Sequence, residues 1–284
     1  MGRQTARRTG EVVVPTFRRR LFGRRLFARR RPRLFGASRR RWVPTALCFL
    51  SAAVLLATAV AVPLAGSHSA AADVEAPERA AAEAAALREE SGLPRAVSFD
   101  VPSLSQYPEL PTGCESVALT NALLALGFDL GKTEIAEAWL PQSDSDFVTA
   151  FLGDPHSVDG HSCMAPAIVR TAEAYLAAHG SNLEVEDLTG SSFKALLGEV
   201  AAGNPVVAWC TIGLEEPGEA YRIASDGDRT YRLYVNSHCV VVHGYDLEAG
   251  IVLVSDSLAG QVSYDLEAFV TRYYQIGAQA VAIG

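Results

Sequence analysis

Residues 105–119 read S-Q-Y-P-E-L-P-T-G-C-E-S-V-A-L, and the second half of this stretch opens a helix. Thr112 and Glu115 have the T-x-x-E spacing of a capping box, which predicts a helix start with Thr112 as its N-cap. Apolar residues then recur at helical spacing through Val117, Leu119, Ala122, Leu123 and Leu126, and Gly127 is a natural stop. On that reading Cys114 occupies the second helical position. There the helix dipole and free N–H groups favour a thiolate and can hold an oxyanion. The plain alternative is a cysteine that merely packs, since free Cys is often buried.

A thiol nucleophile needs a base, and the base needs an orienter. The six histidines are His68, His156, His161, His179, His238 and His243. His68 sits in a spacer, His156 and His161 in a Gly/Asp/Ser-rich loop, and His179 at a helix end. The other two lie on the strand H-C-V-V-V-H-G-Y-D of residues 238–246, five apart, which predicts opposite faces of a sheet. Folding back through Asp246–Ala249 pairs Tyr245 with Gly250. This register puts His238 opposite Ser257, beside Asp256, and His243 opposite Val252. Asp256 can then orient His238 and cannot readily orient His243. The plain alternatives are a hydrogen-bonded edge histidine and an Asp that caps a turn in Ser255-Asp256-Ser257.

Outward from these two segments the chain reads as one mixed domain over residues 97–284, long enough at 188 residues to bury a sizeable core. Helices are expected over Cys114–Leu126, Thr133–Leu140, Ala165–His179, Ser192–Ala202 and Leu266–Gln275. Strands are expected over Val97–Val101, Val206–Ile212, Tyr231–Val235, His238–Tyr245, Ile251–Ser255 and Gln279–Ile283, with loops over Gly153–Ser162 and Glu215–Arg229. Helices first and strands later predict an α+β class with a mainly antiparallel sheet.

Cys163, Cys210 and Cys239 with His161, His238 or His243 could ligate zinc, but no C-x-x-C or H-E-x-x-H spacing supports a metal site. One disulfide among these three cysteines is compatible with an exported domain. No Walker loop, G-x-G-x-x-G or G-x-S-x-G occurs, so neither nucleotide nor serine-hydrolase chemistry is supported, and no cofactor is expected.

The amino-terminal third concerns location. Fifteen of the 25 basic residues, all Arg, lie in residues 1–41 against the single acid Glu11. The remaining chain holds 10 basic and 31 acidic residues, a poor composition for nucleic acid, whose phosphates need cations. Residues 42–64 carry no charge over 23 positions, enough to span a bilayer. The Arg cluster before them predicts a cytoplasmic tail (1–41) and a domain on the far side. The segment reads either as a retained signal anchor or as a signal peptide cut near Ser67–Ala72. Residues 65–96, rich in Ala and Glu, read as a spacer, with a short helix over Ala80–Arg88.

Ser105–Leu119 resembles the nucleophile segment of a papain-like cysteine peptidase family, of the bacteriocin-leader-processing type and its stand-alone bacterial branch. His238–Asp246 resembles that family's histidine strand, Ser255-Asp256-Ser257 sits where the family has an Asn-Asp-Pro turn, and Cys163–Val169 resembles a recurrent helix start. The resemblance covers residues 97–284. It implies a papain-like fold with the nucleophile helix packed on an antiparallel sheet. It also implies Cys114 as nucleophile, His238 as general base and then acid, Asp256 as orienter, and Gln106 as a side-chain donor to the oxyanion. Members are often fused to an exporter. With no transporter segments or nucleotide motif present, a role in bacteriocin export is not inferred.

The sequence therefore supports an extracytoplasmic, membrane-anchored cysteine peptidase acting on a peptide or protein. A binding module that keeps the fold without catalysis, and a transferase that passes the acyl group to an amine, are the rival readings.

Overall fold

The computed structural model describes residues 67–284. The Arg-rich tail and the uncharged run of residues 42–64 lie outside the described residues. Among the described residues no helix is long and apolar enough to cross a membrane. The elements in chain order are α1 (Ser67–Glu90), β1 (Ala96–Ser98), α2 (Cys114–Ala125), β2 (Gln142–Ser143), β3 (Phe151–Leu152), α3 (Ala165–Ala178), β4 (Val185–Asp187), α4 (Phe193–Ala202), β5 (Val206–Thr211), β6 (Ala220–Asp226), β7 (Arg229–Tyr234), β8 (Ser237–Asp246), β9 (Ile251–Asp256), β10 (Gly260–Asp265), α5 (Leu266–Gln275) and β11 (Ala280–Ile283). The expected mixed architecture with an antiparallel sheet is present.

The main sheet runs β10-β9-β8-β5-β11-β4, with β1 beside β8, and all its pairs are antiparallel. Strand β5 explains why it is central. Successive side chains point to opposite faces. Val206, Ala208 and Cys210 therefore join one core, with α1, α4 and α5. Val207 and Trp209 join the other, with α2 and α3. An apolar run with no polar face fits a strand covered on both sides. Helix α2 lays Ala118, Leu119, Ala122 and Leu123 on the second face. That fixes where its first residue, Cys114, arrives.

The hairpin register differs from the one expected. Tyr245 pairs with Val252 rather than Gly250, and a bulge between Val242 and Gly244 brings Asp256 opposite Val240. His243 is the inserted residue. Because of it Tyr245 returns to the face of Val240 and Val242, so alternation counted through His243 fails. The bulge coincides with a change of neighbour: β8 pairs with β5 through Val242 and with β1 from Gly244 onward.

Four further expectations are corrected. The stretch read as a spacer is mostly helix α1. Its Ala80, Ala84 and Leu87 are buried in the core, Glu83 accepts from the Tyr274 hydroxyl and Arg79 lies over the Tyr274 ring at 4.0 Å. The expected loop over Glu215–Arg229 contains β6, which pairs with β7 as a separate hairpin. The helix expected over Thr133–Leu140 is a π-helical turn, Ile135–Trp139. The four described cysteines, Cys114, Cys163, Cys210 and Cys239, are all free thiols, so the disulfide is absent.

Candidate active site

Cys114 is the first residue of α2, with Gly113 as N-cap and no side-chain cap. The capping box does not form. Thr112 instead donates its hydroxyl to the Ser157 carbonyl at 3.0 Å. Gly160 lies so close to this contact that a Cβ there would stand 2.3 Å from the Thr112 hydroxyl. The loop of residues 153–162 is thereby held against the start of α2. Glu115, freed from capping, turns into the protein. Its Oε1 accepts from the Cys163 N–H at 3.1 Å and from the Ser162 hydroxyl, and its Oε2 accepts from the Cys114 thiol at 3.3 Å.

Burial pushes the Cys114 thiol well above its ordinary pKa, and the Glu115 carboxylate beside it adds to the rise. The Cys239 backbone N–H pulls the other way. The helix start alone would lower this pKa, but here desolvation and a neighbouring anion win. Glu115 is itself raised by burial, with its hydrogen bonds opposing.

The other half of the site is built by β8 and β9. His238 Nε2 donates to Asp256 Oδ1 at 2.7 Å, with both side chains 2% exposed. Asp256 Oδ1 also accepts the Leu258 N–H at 2.7 Å, and Oδ2 accepts the Tyr264 hydroxyl at 3.0 Å. Asp256 is thus an orienting carboxylate and a turn-capping residue at once. Burial pushes its pKa up, but the bonds from His238, Leu258 and Tyr264 outweigh burial and hold it below the usual carboxylate range. An ionised Asp256 accepts only, so His238 carries its proton on Nε2. That leaves Nδ1 as the basic nitrogen.

Gln106 is placed by three contacts. Its N–H donates to the Ser257 carbonyl at 3.1 Å, its Oε1 accepts from the Ser257 hydroxyl at 2.7 Å, and its Nε2 donates to the Pro111 carbonyl at 2.8 Å. One amide N–H of Gln106 remains free of those bonds. Ser255 donates to the Pro102 carbonyl at 2.6 Å. Both serines that flank Asp256 therefore tie β9 to the segment carrying Gln106, which gives their departure from Asn-Asp-Pro a physical purpose.

Gln106, Cys114 and His238 line one cleft of about 290 Å³, together with His161, Ser162 and Tyr221. The structure thus brings these three to one place, with Asp256 behind His238. It does not join Cys114 to His238 by a hydrogen bond, since the thiol is held by Glu115. His243 is elsewhere: its Nδ1 meets the Phe99 carbonyl at 2.7 Å. Among the described residues no three His, Cys, Asp or Glu side chains gather to hold a metal.

Residues 98–281 match the Peptidase_C39 like family. The chain belongs to this family. Over 184 residues it is 28% identical to the uncharacterized protein YvpB of Bacillus subtilis, spanning 62% of this chain and 70% of YvpB. A crystal structure described as a C39-like peptidase from Bacillus anthracis superposes with a TM-score of 0.59 at 26% identity, covering 67% of this chain and 98% of the other. The Peptidase_C39 like assignment supports a cysteine peptidase with a peptide or protein substrate.

Sequence reasoning missed Glu115, Ser162 and Tyr264 as parts of the site. The alternation in Gly260-Gln261-Val262-Ser263-Tyr264 was a strand signal that would have put Tyr264 on a strand beside Asp256. Nothing local distinguishes a capping Glu from one turned inward.

Proposed function

We propose that the protein is a membrane-anchored cysteine peptidase whose catalytic domain faces away from the cytoplasm, with Cys114, His238 and Asp256 as its triad. The reading rests above all on one observation: a cysteine at a helix start shares a cleft with a histidine whose far nitrogen is held by a buried carboxylate. In the reaction Cys114 turns from Glu115 toward His238 and gives its proton to Nδ1. The thiolate attacks the peptide carbonyl carbon, and the oxyanion is met by backbone N–H groups at the start of α2 and by the free amide N–H of Gln106. The C–N bond breaks as His238 returns the proton to the departing amine, leaving a thioester. Water then attacks with His238 as base, which releases the acid and restores the thiol. The likeness to the leader-processing type of the family rests on the motif resemblance at Ser105–Leu119 and His238–Asp246, and no bacteriocin role is inferred from it. The anchor and its orientation are supported by the uncharged run 42–64 behind an Arg-rich tail.

A second reading, a fold retained for binding alone, is favoured by the thiol's hydrogen bond to Glu115. One experiment separates the two. The full chain and its Cys114→Ala variant are incubated with a peptide mixture, and new termini are counted by mass spectrometry. Termini produced by the wild type and absent with the variant support the peptidase. Identical mixtures from both would sink it.

A further inference from the structure

Six large hydrophobic side chains are exposed among the described residues, and five of them, Tyr107, Val158, Ile212, Val235 and Leu258, line the cleft that holds Cys114 and His238. Val158 is 80% exposed and Val235 63%. Scattered exposed hydrophobics are ordinary, but a contiguous set marks a binding surface. Each comes from a different connection, so no single element's amphipathicity explains the grouping. They also flank the reacting groups. Tyr107 and Leu258 follow Gln106 and Ser257, which are bonded to each other. Ile212 donates its N–H to the Asn236 carbonyl at 3.0 Å, which sets it beside Val235 and next to Ser237 and His238.

Charge sharpens the point. Residues 42–284 carry three times as many acids as bases, yet no Lys, Arg, Asp or Glu lines this cleft. Its polar groups are hydroxyls, amides and imidazole rings, such as Tyr221, whose OH lies 3.1 Å from His161 Nδ1. Such groups suit a peptide backbone, while the apolar rim suits its side chains.

We infer that the cleft takes an extended peptide segment bearing large apolar side chains on both sides of the bond presented to Cys114. This names the substrate class for the peptidase proposed above and rests on that reading. The acidic body does not decide this class, because the charge of the body is not the charge of the cleft.

The test uses the full chain and three sets of octapeptides with Leu and Phe, Lys, or Glu at the two positions on each side of the central bond. Dissociation constants are measured with Cys114→Ala, and kcat/KM with the wild type. The apolar set is expected to exceed both charged sets by about tenfold or more in each measurement, a usual value for one good apolar contact. Val158→Asp and Val235→Asp, at exposed positions that tolerate a charge, should cut that preference about fivefold and raise affinity for the Lys set. Equal treatment of the three sets, or preference for a charged one, overturns the inference and leaves the peptidase reading intact if cleavage occurs. Apolar binding without cleavage supports the ligand class and counts against the peptidase. No binding and no cleavage overturns both.

Discussion

The two halves of the site are prepared in opposite ways. On the β8–β9 side, Asp256 is surrounded by donors, its pKa is held down, and His238 is fixed at 2.7 Å with one nitrogen assigned. On the α2 side, Cys114 and Glu115 are adjacent, buried, and both raised. The first half is preorganised for chemistry, in the sense that its hydrogen bonds already favour the charged form it must hold. The second half keeps its proton. A buried thiol beside a carboxylate costs least when neutral, so in the proposed mechanism Cys114 keeps its proton until His238 takes it.

The largest expected effect tests whether the halves belong to one machine. Cys114→Ala and His238→Ala should each lower turnover by about 10⁴-fold or more, and the double variant should be little worse than either, because members of a triad act as a unit. Multiplicative losses in a kcat series would break the pairing. Next, Asp256→Asn should lower kcat by about 10²–10⁴-fold with little change in KM, since the lost group acts on the base and not on the substrate. This variant also carries a pH signature. A carboxyl held below its ordinary pKa of 3.8 contributes stability above that pH and loses it as pH falls through the folded value. The stability gap between wild type and Asp256→Asn in urea melts should therefore narrow below about pH 4.

Glu115→Gln removes the anion beside the thiol. Alkylation of Cys114 at neutral pH should rise on the order of tenfold, mapped by peptide to separate it from the other thiols. An unchanged rate would remove Glu115 from the contrast between the halves. The stability sign is opposite to that of Asp256. A carboxyl raised above 4.5 disfavours the folded state as pH climbs from there through the raised value, so Glu115→Gln should gain on the wild type over that interval. The smallest effect is at Tyr264→Phe. Losing one of several bonds to Asp256 should lower kcat about threefold and shift the acid limb of the rate profile to higher pH.

What the sequence made legible follows from what is local. Cys114 at a helix start, and His238 and Asp256 only 18 residues apart across one hairpin, are placements that periodicity carries, while the joining of Cys114 to that distant pair was implied by the family resemblance. The order of helices and strands carried the sheet for the same reason. The misses are long-range or exceptional. Gly244, a glycine inside a strand pattern, was the one local sign of the bulge, and without it the expected pairing of Tyr245 is two residues off. His238 and Asp256 still meet because the bulge takes back one of those two residues. Glu115 has a respectable local role as a capping acid, and only the approach of Ser162 and Cys163 turns it inward. The rim of exposed apolar side chains is invisible in one dimension, because each member sits alone in its own loop.

The packing of α1 reaches into how the chain becomes a protein. Glu83 meets Tyr274 across a separation of 191 residues, and the apolar strip of Ala80, Ala84 and Leu87 packs in the core to which α5 contributes. As the chain is made, α1 emerges long before α5, and α4, whose Lys194 N–H donates to Glu83, reaches it earlier. Helices α1 and α5 therefore close this face of the domain together. Contacts of such span are entropically late and slow. A chain stalled or clipped before residue 266 leaves the apolar strip of α1 without its α5 partner, a surface that quality-control proteases and chaperones recognise.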